Sequence, residues 1–395
     1  MLRGGMPHGV LVTGPGGVGK TTFAEDLAAG LVCRNEDPEA RPCRTCRGCR
    51  ALEHGNHPDV HRLAPTGAGS VIPIGGREER GVRDLVRDLA LMPVEGGARV
   101  AVITAADRMT EDAQSAFLKT LEEPPAGTVL ILTATDEERL LPTIRSRCVR
   151  IRLGPVSRQD VEGILVDAGL VDAPSAARLA RLAGGRPGQA VALARAPESL
   201  TIRSEVGRTL LDLTAATRSD RLRIARDLLG RTVALGAAIQ AATPAATDGT
   251  TGVASGGRAR GARGRSAKNG ASLSAATNPD GAAIAVAADA AAAVPASGAA
   301  TGPAAKVPPA ERRAAALALV AIWRDVARDL ALVGLGQPGD VRQLDLLDDL
   351  EAAAARLPHG FPIDQLRRLE LAGERLEGNV SPELVVDGLA LGWTA

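Results

Sequence analysis

The chain has 395 residues, 45% of them apolar, and its 47 Lys+Arg against 46 Asp+Glu leave a formal net charge of +1. That balance excludes a protein whose overall charge recruits a polyanion or a membrane surface, and the length allows roughly two to four domains of about 100–200 residues. With Phe 3, Trp 2 and Tyr 0, the core must be aliphatic, and a nucleic-acid surface of stacked aromatic platforms is excluded.

The first 155 residues alternate short apolar runs with helical patterns. VLVT (10–13), RVAVIT (99–104), TVLILTA (128–134) and VRIRL (149–153) read as buried parallel strands. Thr22–Leu31 and Glu111–Leu121 read as helices between them, so this part is an α/β domain, a parallel sheet with flanking helices. Residues 156–197 predict short helices, the first with Ser157 as N-cap and Gly169 at its end. Residues 200–242 predict a longer helix. Residues 243–307 are Ala, Gly, Thr, Ser and Pro with almost no large apolar side chain, and predict a disordered insertion. Helix returns at 308–395. Leu319, Trp323, Val326, Leu330 and Val333 share one face, Leu344, Leu347, Leu350, Ala354 and Leu357 repeat the spacing, and Ser381-Pro382 opens a last helix.

Only four of the basic residues are lysines, which makes Lys20 conspicuous. Gly14-Pro15-Gly16-Gly17-Val18-Gly19-Lys20-Thr21 reads G-x-x-x-x-G-K-T, directly after a strand and at the start of a helix, the context of a P-loop. Such glycines let backbone N–H groups wrap phosphates, and the helix N-terminus adds positive potential. Gly14, Gly16, Gly17, Gly19, Lys20, Thr21 and Thr22 are the binding candidates for ATP, with the Thr21 hydroxyl available to Mg²⁺. The bland alternative is a Gly-rich strand–helix turn.

Cys33, Cys43, Cys46 and Cys49 follow at once, in spacing suited to one closed tetrahedral Zn²⁺ site. Free thiols or a redox pair are the alternatives, and the arginines among them are expected to lower the thiol pKa values. His54, His57 and His61 read as surface or loop residues, and Cys148 as a small apolar side chain. A hydrolytic P-loop protein needs carboxylates after a later strand, but the strand ending at Ile103 is followed by Thr104-Ala105. Asp107, three residues on, reads as a helix N-cap. The chain is therefore expected to cradle a triphosphate and hydrolyse it poorly.

These motifs together resemble the AAA+ clamp-loader subunits of bacterial DNA polymerase III. The resemblance rests on the P-loop, the four-Cys module at 33–49, HPDV (57–60), AADRM (105–109), LKTLEEPP (118–125), SRC (146–148) and NVSP (379–382). It spans the chain except 243–309. Thr104-Ala105 and Gly185-Arg186-Pro187-Gly188 resemble the delta-prime branch; the ATP-hydrolysing gamma/tau branch has an Asp-Glu pair and a lid arginine where this chain has Thr104-Ala105 and Gly188. The resemblance implies a RecA-like P-loop domain at 1–155 with the zinc module inside it, a helical lid at 156–197, and a helical collar at 198–242 and 308–395. It implies a stator that helps gamma/tau and delta subunits load the sliding clamp onto primed DNA, in the cytoplasm, with its own ATPase inactive. Arg147 of the SRC motif would act as an arginine finger on a neighbouring subunit's ATP. Family members carry further residues before the segment matching Met6-Pro7-His8, which implies either a misassigned start or an incomplete adenine pocket. A gamma/tau-type motor, or an independent P-loop ATPase of DNA repair or signalling, are the rival readings.

Overall fold

The computed structural model describes residues 7–66, 71–76, 79–95, 97–242, 307–358, 360–378 and 380–393. The insertion predicted at 243–307 lies outside them, save for Val307.

The chain opens with strand β1 (Gly9–Thr13), helix α1 (Lys20–Val32) and the short helix α2 (Arg47–Glu53). Strand β2 (Val60–Leu63), helix α3 (Val82–Ala90), strand β3 (Arg99–Ile103), helix α4 (Glu111–Glu122), strand β4 (Thr128–Ala134), helix α5 (Pro142–Arg147) and strand β5 (Val149–Arg152) complete a sheet of order β2-β3-β4-β1-β5. Every neighbouring pair is parallel, with Gly9 opposite Leu130 and Val10 opposite Val149. Parallel pairing requires crossovers, and the helices that supply them bury both faces of the sheet. One face packs Leu11, Ile103, Leu130 and Leu132 against Leu85, Leu89 and Phe117. The other packs Val10, Val12, Val102 and Ile131 against Ala24, Ala28 and Ala29 of α1.

Two expectations need correction here. The sheet has a strand, β2, that the apolar-run reading misses, because VHRL carries two polar residues and sits on an edge. At the other edge β5 is largely exposed, not buried, since VRIRL presents Arg150 and Arg152 to one side.

Helices α6 (Arg158–Asp167), α7 (Ala173–Ala183) and α8 (Pro187–Arg195) share a small core of Val161, Leu165, Leu179 and Leu193. Ser157 does cap α6, accepting from the Asp160 N–H, and Gly169 follows its end at φ 63°. The long helix expected at 200–242 is two helices, α9 (Glu198–Asp212) and α10 (Arg218–Ala242). The break falls at Thr217, whose hydroxyl accepts from the Asp220 N–H while donating to the Asp220 carboxylate, a local competition that starts a new helix. Helix α11 (Pro309–Gly334) buries Leu319, Trp323, Val326 and Leu330 on one face, as its spacing predicts. Helices α12 (Leu347–Ala354), α13 (Phe361–Glu377) and α14 (Pro382–Gly392) close the bundle. Leu344, expected on the α12 face, lies instead in a preceding 3₁₀ turn and is exposed. The bundle core is centred on Trp393, whose ring meets Trp323 and Phe361 edge-on, both at 5.2 Å between centroids.

Candidate functional site

The segment after β1 is shaped by its glycines. Gly14 has φ 148°, and a Cβ there would come within 2.3 Å of the Leu153 carbonyl, so the loop leaves the sheet only because residue 14 has no side chain. Gly19, at φ 103°, then turns the chain into α1, and Lys20 is its first residue. The buried Lys20 ammonium donates to Gly14 O (2.7 Å), Pro15 O (2.8 Å) and Thr135 Oγ1 (3.1 Å). Burial pushes its pKa down and the nearby Asp107 carboxylate partly restores it. Thr21 and Thr22 are exposed on the first turn of α1, and Gly16 has open space around it.

Helix α8 closes on this loop. The Gly188 N–H donates to Gly17 O at 2.9 Å, and a Cβ at 188 would approach that oxygen to 3.1 Å. Arg186 turns its side chain to Ala183 O (2.9 Å).

No carboxylate follows β3 directly: Thr104 N–H pairs with Leu63 O, and Ala105, at φ 52°, donates to Thr133 Oγ1. Asp107 is not the N-cap expected of it. The cap of α4 is Thr110, which accepts from the Ala113 N–H. Asp107 Oδ2 instead accepts from the Thr135 and Asp136 N–H groups (3.2 and 3.1 Å), while its Oδ1 is buried without a hydrogen-bond partner. Lys20, Thr135 and Asp107 thus form one network across β1, β4 and the turn after β3. Sequence reasoning omits Thr135; its signal is a polar Thr-Asp pair directly after the buried strand beside the P-loop strand.

Arg147 is not part of that network. Parallel strands place the P-loop, Thr104 and Thr135 at their C-terminal ends. Arg147 precedes β5, and its carbonyl lies against Gly9 at the start of β1, the opposite end of the sheet. Its guanidinium pairs with Glu122 Oε1 (2.6 Å) and donates to Thr143 O (3.0 Å). The neighbouring Arg145 pairs with Glu138 (2.8 Å).

Cys33, Cys43, Cys46 and Cys49 come together from the end of α1 and the start of α2, their four Sγ atoms within 4.8 Å of one another. A tetrahedron with bonds of about 2.3 Å has S···S edges of about 3.8 Å, so the four thiols could close on one metal ion with small movements. Backbone N–H groups already point at the sulfurs: Cys43 N–H to Cys33 Sγ, Cys46 N–H to Cys43 Sγ and Cys49 N–H to Cys46 Sγ, at 3.3–3.5 Å. Cys43 is lowered to about 6, first by the Thr45 hydroxyl and then by backbone N–H groups, whereas burial pushes Cys49 up to about 12. Hydrogen bonds and burial, rather than the surrounding arginines, set these values. The histidines stand apart from the cluster. His54 is exposed at the end of α2 and His57 lies in the loop that follows, as read, although His57 is buried and accepts from the Asp59 N–H at 3.2 Å; His61 lies on β2, which corrects its reading as a surface or loop residue. Cys148 packs in the sheet core, where burial raises its pKa to about 11.

A parallel sheet with flanking helices, a glycine loop between strand and helix, and a buried lysine at the helix start define a P-loop fold. Comparison with known proteins narrows the class. Residues 2–157 match the family model described as DNA polymerase III, delta subunit. The DNA polymerase III subunit delta' of Pseudomonas aeruginosa is 41% identical over 143 residues, 36% of this chain and 42% of the relative. That of Bacillus subtilis is 31% identical over 201 residues, 51% and 58% of the two chains. The Escherichia coli DNA polymerase III subunit tau is 33% identical over 195 residues, 48% of this chain and 29% of tau. The chain spans about half the length of these delta' relatives. Among the described residues, no helix is long and apolar enough to cross a membrane.

Proposed function

We propose that the chain is a delta-prime-type stator of a DNA polymerase III clamp loader. It would assemble with gamma/tau and delta subunits and help place the sliding clamp on primed DNA in the cytoplasm. The observation that carries this reading is the pairing of a delta-subunit match over residues 2–157 with a strand end, Thr104-Ala105, that has no carboxylate. Residues 1–155 would be the P-loop domain, 156–197 the lid, and 198–242 with 308–395 the collar. Cys33, Cys43, Cys46 and Cys49 would hold one structural Zn²⁺ with no open position.

Gly14, Gly16, Gly17, Gly19, Lys20, Thr21 and Thr22 would receive ATP if it binds, with Mg²⁺ on Thr21. An entering phosphate must draw Lys20 off the Gly14 and Pro15 carbonyls and loosen the Gly188–Gly17 bond. With no base or metal-holding carboxylate after β3, the chain would be inert on its own nucleotide. Arg147, at the far end of the sheet from this loop, would serve a neighbour's ATP in trans. Its guanidinium can donate two parallel bonds to phosphate oxygens, a role that supplies about 10³–10⁵ in rate elsewhere. Glu122 would hold it extended until the neighbour's phosphate replaces the carboxylate.

Reconstitution with motor and delta subunits tests the assignment: a stable complex is expected, and none forming would reject it. In that complex Arg147→Ala should lower the DNA- and clamp-stimulated ATPase partially, while Arg145→Ala should not. Equal, unchanged rates for both would leave Arg147 a surface ion pair. The rival motor reading draws on Asp107 beside Lys20, and a turnover of about 1 per second by the isolated chain would establish it.

A further inference from the structure

The α6–α8 unit meets the C-terminal bundle around a cavity of ≈ 30 Å³ lined by Arg178 and Arg181 of α7, Arg203 of α9, and Arg342 and Gln343 of the α11–α12 connection. A water occupies about 10–15 Å³ by this measure, so there is room for about two waters, close to the bulk of one tetrahedral oxyanion. Four guanidiniums line this cavity, and three of them share two carboxylates while Arg181 meets only carbonyl oxygens. Arg178 pairs with Asp345, Arg203 with Asp325, and Arg342 with Asp325 at 3.1 Å. Asp329 is balanced by Arg328 at 2.9 Å and accepts from the Arg342 and Gln343 N–H groups. Positive charge is therefore in excess.

The donors are also in excess. Arg181 gives Nη1 to Gly339 O and Val341 O, but its Nε has no protein acceptor. The same holds for Arg203 Nε and Gln343 Nε2, on side chains more than nine-tenths buried. Each unmet buried donor costs about 1–3 kcal/mol, more when charged. Three of them, on residues lining one positively charged cavity, ask for an acceptor with several oxygens and a negative charge.

We propose that this cavity is an oxyanion site, and that its ligand is inorganic phosphate, bolting the α6–α8 unit to the bundle. The small volume favours the free ion over a phosphate carried on a nucleic-acid chain, which would need a wider mouth. The site is separate from the P-loop, so its occupancy does not require nucleotide.

The test uses the full chain carrying Lys20→Ala, which removes the P-loop lysine as a second phosphate ligand. Phosphate binding is followed by calorimetry and by the thermal midpoint, in phosphate against chloride at matched ionic strength. Saturable binding with a raised midpoint is expected. Adding Arg181→Gln should weaken it about tenfold, the loss of a charged hydrogen bond. Adding Gln343→Leu, which leaves every ion pair in place, should weaken it about fivefold. A 5′-phosphorylated oligonucleotide forms a separate arm and should not compete with phosphate. Equal midpoints in the two salts would overturn the site and leave ordered water as the donors' partner. Binding unchanged by both added substitutions would place the phosphate elsewhere, and stronger binding of the oligonucleotide would overturn the assignment to the free ion.

Discussion

In the α/β part of the chain the glycine loop and the thiol cluster are each built from near neighbours in sequence; in the helical bundle the consequential contacts join residues far apart. Gly14 to Thr22 form the whole glycine loop, and Cys33 to Cys49 form the whole thiol cluster. In the bundle, Trp393 Nε1 donates to Leu210 O across 183 residues, and Arg203 reaches Asp325 across 122. The physical reason lies in what each part must do. A loop that wraps a phosphate, or a knuckle that wraps a metal, is a local backbone shape and needs its residues at fixed small offsets. A helical bundle needs only an apolar stripe on each helix, and which stripes meet is decided by the whole fold. Perturbations should therefore be confined in the first part and propagate in the second.

The largest effect is expected at the thiol cluster. Cys49→Ala should take zinc content from about one per chain to zero, because three thiolates cannot close the site. Metal analysis under reducing conditions checks this, and the unchanged chain must give about one for the comparison to stand. The disturbance should stay within residues 33–57, so proteolysis should open that segment and spare the bundle.

The next effect is the propagating one. Trp393 is fully buried between Trp323 and Phe361, so Trp393→Ala leaves a large cavity and orphans the Leu210 carbonyl. A loss of about 3–5 kcal/mol is expected for the bundle. Denaturant unfolding followed by the remaining Trp323 reports it directly. A loss under about 1 kcal/mol would mean that the three rings do not hold the bundle together.

What was legible in the sequence follows the same division. The glycine loop, the clustering of the four thiols, the three buried apolar strands β1, β3 and β4, the α6 cap at Ser157 and the buried face of α11 are all local patterns, and they are found as read. Three features were readable but missed. VRIRL alternates apolar and charged residues, the mark of a half-exposed strand rather than a buried one. Thr217-x-x-Asp220 is an acidic variant of a helix-start signal in the middle of a supposed single helix. Thr135-Asp136 stood directly after the strand beside the P-loop. Other features could not be read, because nothing near Asp107 in sequence announces Thr135 as its partner and nothing near Arg181 announces Gly339 or Arg342. Strand order, too, is a tertiary fact, and it alone puts Arg147 at the opposite end of the sheet from Lys20.

A smaller effect separates glycines within the one loop. Gly14→Ala would force a Cβ to 2.3 Å from Leu153 O at φ 148°, and should destabilise the α/β part by about 2 kcal/mol. Gly16→Ala meets nothing within 4 Å and should change stability by less than about 0.5 kcal/mol. Urea midpoints of the two variants measured side by side decide it, and equal values would mean that the loop tolerates side chains generally.

The smallest expected effect is a difference in acid sensitivity between the two parts. Burial lowers the pKa of both His57 and His61, so each is held neutral in the folded chain. Glu95 and Asp59 pull His57 back up, as Asp88 and Asp59 do His61, but burial outweighs them. An unfolded histidine takes up its proton near pH 6.5, before the folded one does. Between those two pKa values the unfolded chain binds more protons, so stability falls as the pH drops below about 6.5, with a slope of at most about 1.4 kcal/mol per pH unit for each histidine. The most deeply buried carboxylate among the described residues of the bundle, Asp329, behaves the other way. Burial raises its pKa, so acid protonates it more readily in the folded chain than in the unfolded one and costs the bundle nothing from that group. Lowering the pH from 7.5 to 5.5 should therefore weaken the α/β part relative to the bundle, and His57→Gln with His61→Gln should remove the difference. Hydrogen exchange read separately on β2–β3 and on α11 gives the two stabilities in one experiment. A parallel loss in both regions, unaltered in the double variant, would show that the buried histidines are not its source.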